Sequence, residues 1–165
     1  MKTKRLIIAI LVLPFLMNCS LESNTKGDIA LVEKYIKAVE SLDYPTMESL
    51  LAENYMGFGP SYKDSINKVQ ALDSWKYNVE NLYERIEYIR MQNAPVKINT
   101  GPNKGDWVSS WAELSISYKS KETLIIWANT VYKVENNKIV KSLTFYNEAD
   151  AYQQLGYVFI DKNDL

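Results

Sequence analysis

The chain has 165 residues, with 19 basic and 20 acidic side chains, no histidine and a single cysteine. The missing histidine excludes a Ser-His-Asp triad, a Cys-His pair and a histidine-ligated zinc site. Any acid–base chemistry must therefore use Asp, Glu, Lys or Tyr. The near-neutral, slightly acidic balance does not provide the basic face that nucleic acid requires. We expect no metal, no cofactor and no nucleic-acid partner.

The N-terminus has the parts of an export signal. A basic start is followed by an apolar run over residues 6–16, which is too short to span a membrane. The run ends in Leu-Met-Asn-Cys at 16–19, which resembles a bacterial lipobox. We predict a signal peptide over 1–18 and lipidation of Cys19, so that the membrane is a partner and the protein lies in the bacterial cell envelope. The alternative is an ordinary secretory signal with a chance cysteine at the cleavage point.

The rest of the chain is predicted as a tether over 19–27 and one domain over 28–165. Apolar periodicity predicts three helices, at 28–42 with Asp28 as N-cap, at 46–52 and at 64–82, with a short strand at 54–60. Alternating patterns and turn residues then predict strands at 83–93, 107–118, 123–134 and 138–147, and a closing helix at 148–155. This order predicts an α+β fold. Three N-terminal helices pack on a curved antiparallel sheet and form a cone with a mouth for a ligand pocket.

In order and spacing these segments resemble the SnoaL-like, nuclear transport factor 2-like superfamily, over about residues 28–156. The resemblance is carried by Val-Glu-Lys-Tyr-Ile at 32–36, Leu-Asp at 42–43, residues 50–55, Asn-Asn-Lys-Ile-Val at 136–140 leading to Tyr146, and Gln-Leu-Gly at 154–156. The superfamily includes isomerases, cyclases, dehydratases and members with no chemistry. The resemblance therefore implies the cone-shaped fold without implying one activity.

Comparison with the ketosteroid isomerases of this superfamily implies a site that has lost its base. Those enzymes use a tyrosine, an aspartate base just before a proline and a protonated aspartate. The corresponding positions here hold Tyr35, Gly59 and Asn129. Two hydrogen-bond donors are retained, but glycine cannot take a proton, and Asp64 lies five residues further on, beyond the turn at Pro60. The resemblance therefore predicts no isomerase activity.

The loops at 119–121 and 136–137 predict the register of the last three strands. They place Trp111 opposite Asn129, Glu113 opposite Trp127, Trp127 opposite Tyr146 and Asn129 opposite Thr144. Opposed residues share a face, and the resemblance places Asn129 on the concave side. We therefore predict that the ligand-binding residues of the cone are Tyr35, Tyr55, Trp111, Glu113, Trp127, Asn129 and Tyr146. A one-residue error in either loop would move part of this patch to the other face.

The opposite face of the predicted sheet is also apolar. Its residues are Leu114, Ile116, Leu124, Ile126, Ala128, Leu143 and Phe145. Because a sheet with two apolar faces usually covers the second one, we predict a homodimer formed by sheet-to-sheet pairing. The alternative is cover by the closing helix and the C-terminal tail.

Three functions stay open on the sequence. The first is a lipid-anchored, non-catalytic module that binds a small apolar or aromatic molecule. The second is an enzyme of the SnoaL or isomerase kind, with Glu113 as its acid–base residue and Tyr35 and Asn129 as donors. Glu113 could equally be a partly solvated rim residue. The third is a structural or interaction protein whose cone is filled. The missing base and histidine favour the first and third.

Overall fold

The computed structural model describes residues 25–164 of the chain. The predicted signal peptide and Cys19 lie outside the described residues. The helices of the described part are α1 Thr25–Glu40, α2 Tyr44–Leu50, α3 Lys68–Tyr77 and α4 Glu148–Gln154, with a π-helical turn at Asn78–Leu82 and a 3-10 turn at Lys162–Asp164. The strands are β1 Leu51–Phe58, β2 Ser65–Asn67, β3 Tyr83–Ile98, β4 Gly105–Tyr118, β5 Thr123–Glu135 and β6 Lys138–Tyr146. None of the helices in this part of the chain is long and apolar enough to cross a membrane.

The strands form one curved six-stranded sheet in the order β2-β1-β6-β5-β4-β3, with the helices packed against it. This confirms the predicted α+β cone. The sheet is mixed, however, because β1 runs parallel to β6 while the other pairs are antiparallel. After β1 the chain passes through β2, α3 and the long strands β3, β4 and β5. The last strand, β6, then lies beside β1 and runs in the same direction. The prediction of a purely antiparallel sheet is therefore wrong at this pair.

Helix α1 lies against the sheet and supplies much of the core. Val32, Ile36 and Val39 recur at helical spacing and are almost completely buried. The helix includes Thr25, three residues before the predicted start, so that residues 25–27 of the predicted tether are helical. Asp28 is therefore inside the helix and not its N-cap. Burial, and then the nearby Asp106 carboxylate, raise the pKa of Asp28 above its usual range.

Side-chain caps decide where the next two helices begin. The Asp43 carboxylate accepts a hydrogen bond from the Thr46 amide at 3.1 Å, which starts α2 before the predicted residue. Asn67 and Gln70 exchange side-chain and backbone hydrogen bonds of 2.9 Å in a capping box, which starts α3. The helix predicted at 64–82 therefore begins only at Lys68, because residues 65–67 pair with β1 as a strand, and its last part, 78–82, is π-helical.

The turn between β5 and β6 is as predicted, but the register beyond it is not. Asn136 and Asn137 both have positive φ, and Glu135 pairs with Lys138 as a two-residue turn requires. Val140 is then an extra residue on β6, a β-bulge that shifts every later pair by one. The observed pairs are Ala128–Tyr146, Asn129–Phe145 and Thr130–Thr144, where the sequence predicted Trp127–Tyr146 and Asn129–Thr144.

Candidate functional site

The concave face of the sheet and the helices enclose a cavity of about 400 Å³. Alternate residues of β4 and β5 point into it, because successive side chains of a strand lie on opposite faces. These apolar lining residues are Ala112, Leu114, Ile116, Leu124, Ile126 and Ala128. The volume lies within the range of pockets that hold small molecules.

Tyrosine dominates the rest of the cavity wall. Eight of the 12 tyrosines of the chain line it: Tyr35, Tyr55, Tyr83, Tyr88, Tyr118, Tyr132, Tyr146 and Tyr152. Two pairs of these rings meet edge to face, with centroids 5.9 Å apart for Tyr35 and Tyr132, and 5.3 Å apart for Tyr83 and Tyr118. The ring of Trp75 on α3 lies beside the second pair, with its centroid 6.3 Å from that of Tyr83. Such edge-to-face packing stabilises the wall and leaves ring surface for a ligand.

The buried tyrosine hydroxyls of the cavity are neutral at physiological pH. The Tyr55 hydroxyl lies 2.7 Å from the Ser142 hydroxyl, in a buried hydrogen bond. Burial raises the pKa of Tyr35 and Tyr132 well above the usual value. Burial, with a contribution from Tyr118, raises the pKa of Tyr83 to about 12. These groups can donate or accept hydrogen bonds, but they do not ionise easily enough to act as bases.

Two carboxylates stand at the mouth of the cavity, Asp64 and Glu148. The turn after β1 brings Asp64 there, because the Gly59 amide donates to the Asp64 carbonyl at 3.2 Å and the Asp64 amide donates to the Ser61 carbonyl at 3.1 Å. A Cβ added to Gly59 would collide with the Asp64 carboxylate. The Ser61 hydroxyl also donates to Glu148, which links this turn to α4.

Asp64 corrects the sequence comparison. Gly59 was predicted to leave the base position without a carboxylate, since Asp64 lies five residues on in the sequence. The structure folds the turn back so that the Asp64 carboxylate fills the space beside Gly59. Nothing in the sequence indicates that the turn folds back, because Lys63 has positive φ in it and lysine is not a residue that favours this conformation.

Four predicted site residues, Trp111, Glu113, Trp127 and Asn129, lie on the convex face, away from the cavity. The predicted pairs Trp111–Asn129 and Glu113–Trp127 are confirmed. Their placement inside the cone is wrong, since their neighbours Ser110, Ala112, Ala128 and Thr130 line the cavity. The family resemblance implies that Asn129 lies on the concave face, and the sequence cannot correct this, because both faces of these strands carry apolar residues.

The convex residues have partners of their own. Glu113 forms an ion pair with Arg90, whose guanidinium lies 5.4 Å from the centre of the Trp127 ring. The Asn129 amide donates to the Ser109 hydroxyl at 3.0 Å and to the Ser110 carbonyl at 3.1 Å. Glu113 is therefore a surface ion-pair residue and cannot serve as the acid–base group of the cavity.

Known structures resemble this domain in fold. A protein from Shewanella denitrificans assigned as a SnoaL-like polyketide cyclase is 17% identical, with a TM-score of 0.60, and the match covers 78% of this chain and 96% of that one. A nuclear transport factor 2-like protein from Burkholderia xenovorans is 13% identical, with a TM-score of 0.60, over 79% and 96% of the two chains. An LEH-like epoxide hydrolase of M. tuberculosis is 14% identical, with a TM-score of 0.58, over 79% and 90%. No family model matches the sequence, and no curated protein matches it.

The domain has the nuclear transport factor 2-like fold. This confirms the fold that the sequence resemblance implied. At such low identity the likeness carries the fold and no activity, so that any function has to be argued from the cavity itself.

Within the nuclear transport factor 2-like cone, three of the predicted site residues do line the cavity: Tyr35, Tyr55 and Tyr146. Tyr146 reaches it through the bulge at Val140, although the predicted pairing with Trp127 was wrong. Whether these three residues bind a ligand stays a prediction. Five residues assigned to the covered outer face line the cavity instead: Leu114, Ile116, Leu124, Ile126 and Ala128. Only Leu143 and Phe145 remain on the convex side.

Proposed function

We propose that the domain binds a small apolar or aromatic molecule in its cavity without transforming it, and that lipidated Cys19 holds it in the bacterial cell envelope. The observation that carries this proposal is the tyrosine-lined cavity of about 400 Å³. An open volume of this size argues against the third function considered above, a structural protein with a filled cone. An apolar wall with a few polar groups at defined points is the usual form of a small-molecule site.

Binding is tested by filling the cavity. Ala128 lines it without being fully buried, so that Ala128→Phe adds a ring to the ligand space with little disturbance of the core. Calorimetric titration with naphthylmethanol should show binding to the wild type and loss of at least about tenfold in affinity for this variant. Ser117→Phe adds the same ring on the convex face and should bind like the wild type. Equal affinity in all three proteins would overturn the proposal.

A co-purifying molecule would give independent support. Native mass spectrometry of protein isolated from its own host should show a bound small molecule that Ala128→Phe lacks. Wild-type protein that carries no ligand and also fails to bind naphthylmethanol would contradict the proposed function.

A second candidate function is proton transfer, and one observation favours it. The Asp64 carboxylate stands beside Gly59, the position that corresponds to the base of the ketosteroid isomerases. Two features favour binding over this chemistry. Asp64 is exposed to water, whereas abstraction of a proton from carbon is helped by a site that excludes water. Asn129, the second proposed donor, points away from the cavity.

The two candidates differ in a steroid isomerisation assay. We expect the wild-type domain to show no isomerisation of a ketosteroid above background. If the wild type does isomerise it, and Asp64→Asn abolishes the activity, the domain is an enzyme and the non-catalytic proposal is wrong.

The proposed anchor is tested separately, because Cys19 is the single cysteine of the chain. Cys19→Ala should abolish partition of the protein into the detergent phase, since the sequence has no other cysteine that could substitute. A variant that still partitions and is still cleaved before residue 19 would show that the lipobox assignment is wrong.

A further inference from the structure

We infer that the ligand is an organic cation, a ring-bearing molecule whose protonated amine lies between Asp64 and Glu148 while its rings lie among the tyrosines. This inference rests on the proposed function and names the ligand class of the same cavity. It follows from the charges of the mouth, from how those charges are held and from the chemistry of the wall.

The mouth carries negative charge without compensation. Asp64 and Glu148 are the charged side chains among the described residues that line the cavity, and both are acidic. Neither forms an ion pair with a lysine or arginine of the described part of the chain. Like charges at the rim of a low-dielectric cavity concentrate the potential there and raise the local concentration of a cation.

The two carboxylates are held at the same opening. Hydrogen bonds of Gly59 and Ser61 with Asp64 close the turn that carries the first one. The Ser61 hydroxyl donates to Glu148 and so ties the second one to that turn. Their common field reaches Tyr146 on the cavity wall. The pKa of its hydroxyl is raised by burial and further by Glu148 and Asp64, among other neighbours.

The wall suits the same kind of ligand. Aromatic faces attract ammonium groups through their quadrupole, and the attraction grows when water is excluded. Two basic residues lie nearby, and neither lines the cavity, although the Phe58 ring that Lys141 contacts does. The Lys63 ammonium lies 5.8 Å from the Tyr62 ring centre, and the Lys141 ammonium lies 5.4 Å from the Phe58 ring centre and 3.4 Å from the Asn103 amide oxygen.

The alternatives fit less well. A carboxylate or phosphate ligand would bring a third negative charge to a mouth that has no cation in its described lining. A neutral ring compound would use the wall, but would leave both carboxylates without a partner other than water. An amine uses both features, with its ammonium donating to the carboxylates and its rings packing on tyrosine.

The test compares three probes of one shape: naphthylmethylamine, naphthylmethanol and naphthoate, a cation, a neutral molecule and an anion. Each is titrated calorimetrically into the mature protein at neutral pH and low salt. We expect the amine to bind about tenfold tighter than the alcohol, with naphthoate weakest. High salt should reduce the affinity for the amine and leave that for the alcohol almost unchanged, since ions screen the charge at an open mouth.

A charge variant identifies the source of the preference. In D64N/E148Q the ratio of amine to alcohol affinity should fall close to one. The matched control D73N/E84Q also removes one aspartate and one glutamate charge, at exposed positions outside the cavity lining. Its ratio of amine to alcohol affinity should stay near that of the wild type.

The outcomes separate the inference from the proposed function. If the wild type binds the alcohol as tightly as the amine, the inference is wrong while the binding function stands. If none of the three probes binds, the inference is overturned, and the proposed function is overturned with it when no molecule co-purifies with the protein. A preference that survives in D64N/E148Q, or one that disappears equally in D73N/E84Q, would also overturn the assignment to these two carboxylates. The salt dependence of the wild type decides the matter if D64N/E148Q does not fold.

Discussion

The smallest feature that shapes the mouth is the missing side chain of Gly59. Its backbone does not need glycine, because its φ is not positive. The need is for space, since a Cβ would meet the Asp64 carboxylate. The family comparison implied that glycine leaves this position without a carboxylate, and this is wrong. Glycine makes room for a carboxylate that arrives from the turn.

Gly59→Ala tests this role. The methyl group should push the Asp64 carboxylate away from the mouth, and the ratio of naphthylmethylamine to naphthylmethanol affinity should fall toward one. The turn is exposed and the displaced group is the end of a side chain, so that we expect the free energy of unfolding to change by less than about 1 kcal/mol. Calorimetry and urea unfolding measure the two effects.

Gly101→Ala is the contrasting control. Gly101 has φ of +81° and open space around its Cβ position, so that alanine there strains the backbone and touches nothing. It should cost about 1 kcal/mol of stability and leave the affinity ratio unchanged. An unchanged ratio in Gly59→Ala as well would show that the Asp64 carboxylate does not act at the mouth.

At the scale of elements, one side chain fixes the closing helix to the sheet. Strand β6 ends at Tyr146, so that the first residues of β5 lack a strand neighbour on that side. The Gln154 amide takes the neighbour's place, accepting from the Ile125 amide at 3.0 Å and donating to the Ile125 carbonyl at 2.9 Å. It thereby holds α4, which carries Glu148 and Tyr152, over the mouth.

Gln154→Ala should loosen α4. Loss of the two hydrogen bonds to Ile125, and of a third that the Gln154 amide donates to the Asp150 carboxylate at 2.9 Å, should cost about 1 kcal/mol. It should also speed amide hydrogen exchange in α4 and at Ile125, with β4 unchanged. Gln153→Ala, on the same helix without a described side-chain bond, is the control. Exchange rates that rise equally in both variants would show that helix propensity, and not the bond to β5, is responsible.

The sequence predicts an element correctly where residue types with a clear conformational preference mark its turns or ends. The β4–β5 hairpin and the Asn136–Asn137 turn were predicted correctly because polar loop residues fix their register. The bulge was not, since Val140 is an ordinary β-branched strand residue with nothing to distinguish it. The helix at 64–82 was predicted too long, because its apolar spacing includes residues 65–67. These residues pair with β1, and Asn67 caps the helix that follows.

The wrong assignment of the concave face of β4 and β5 misplaced more predicted site residues than any other error. Both faces of β4 and β5 carry large apolar residues, so that alternation alone cannot show which one lies inside. The tyrosines of α1, β1 and β3 would have been a better guide to the inner face. A cavity wall that includes tyrosines of both α1 and the strands lies on the side of the sheet that the helices cover. Asp64 could not be placed from sequence, since a turn closed by two backbone hydrogen bonds brings it back to Gly59.

For the molecule as a whole, the corrected faces change which residues would form the predicted homodimer interface. The reason for expecting a homodimer, an exposed apolar face of the sheet, stays the same. The convex face exposes large apolar side chains, with Trp127 at 61%, Phe145 at 52% and Ile125 at 49% of their surface accessible. The Arg90–Glu113 ion pair lies beside them. An apolar patch rimmed by charge is typical of a protein–protein interface. We therefore propose that two copies pair through this convex face.

Phe145→Glu tests the pairing. Phe145 lies on the convex face opposite Asn129, and half of its surface is already accessible, so that a charge there should be tolerated by the monomer. In a dimer the same carboxylate would be buried in an apolar interface without a partner, which strongly disfavours association. Sedimentation equilibrium should therefore show a wild-type dimer and a folded Phe145→Glu monomer. Tyr77→Glu, an equally exposed site on α3 in the helical layer, should stay dimeric. A wild type that sediments as a monomer at high concentration would rule out the proposed dimer.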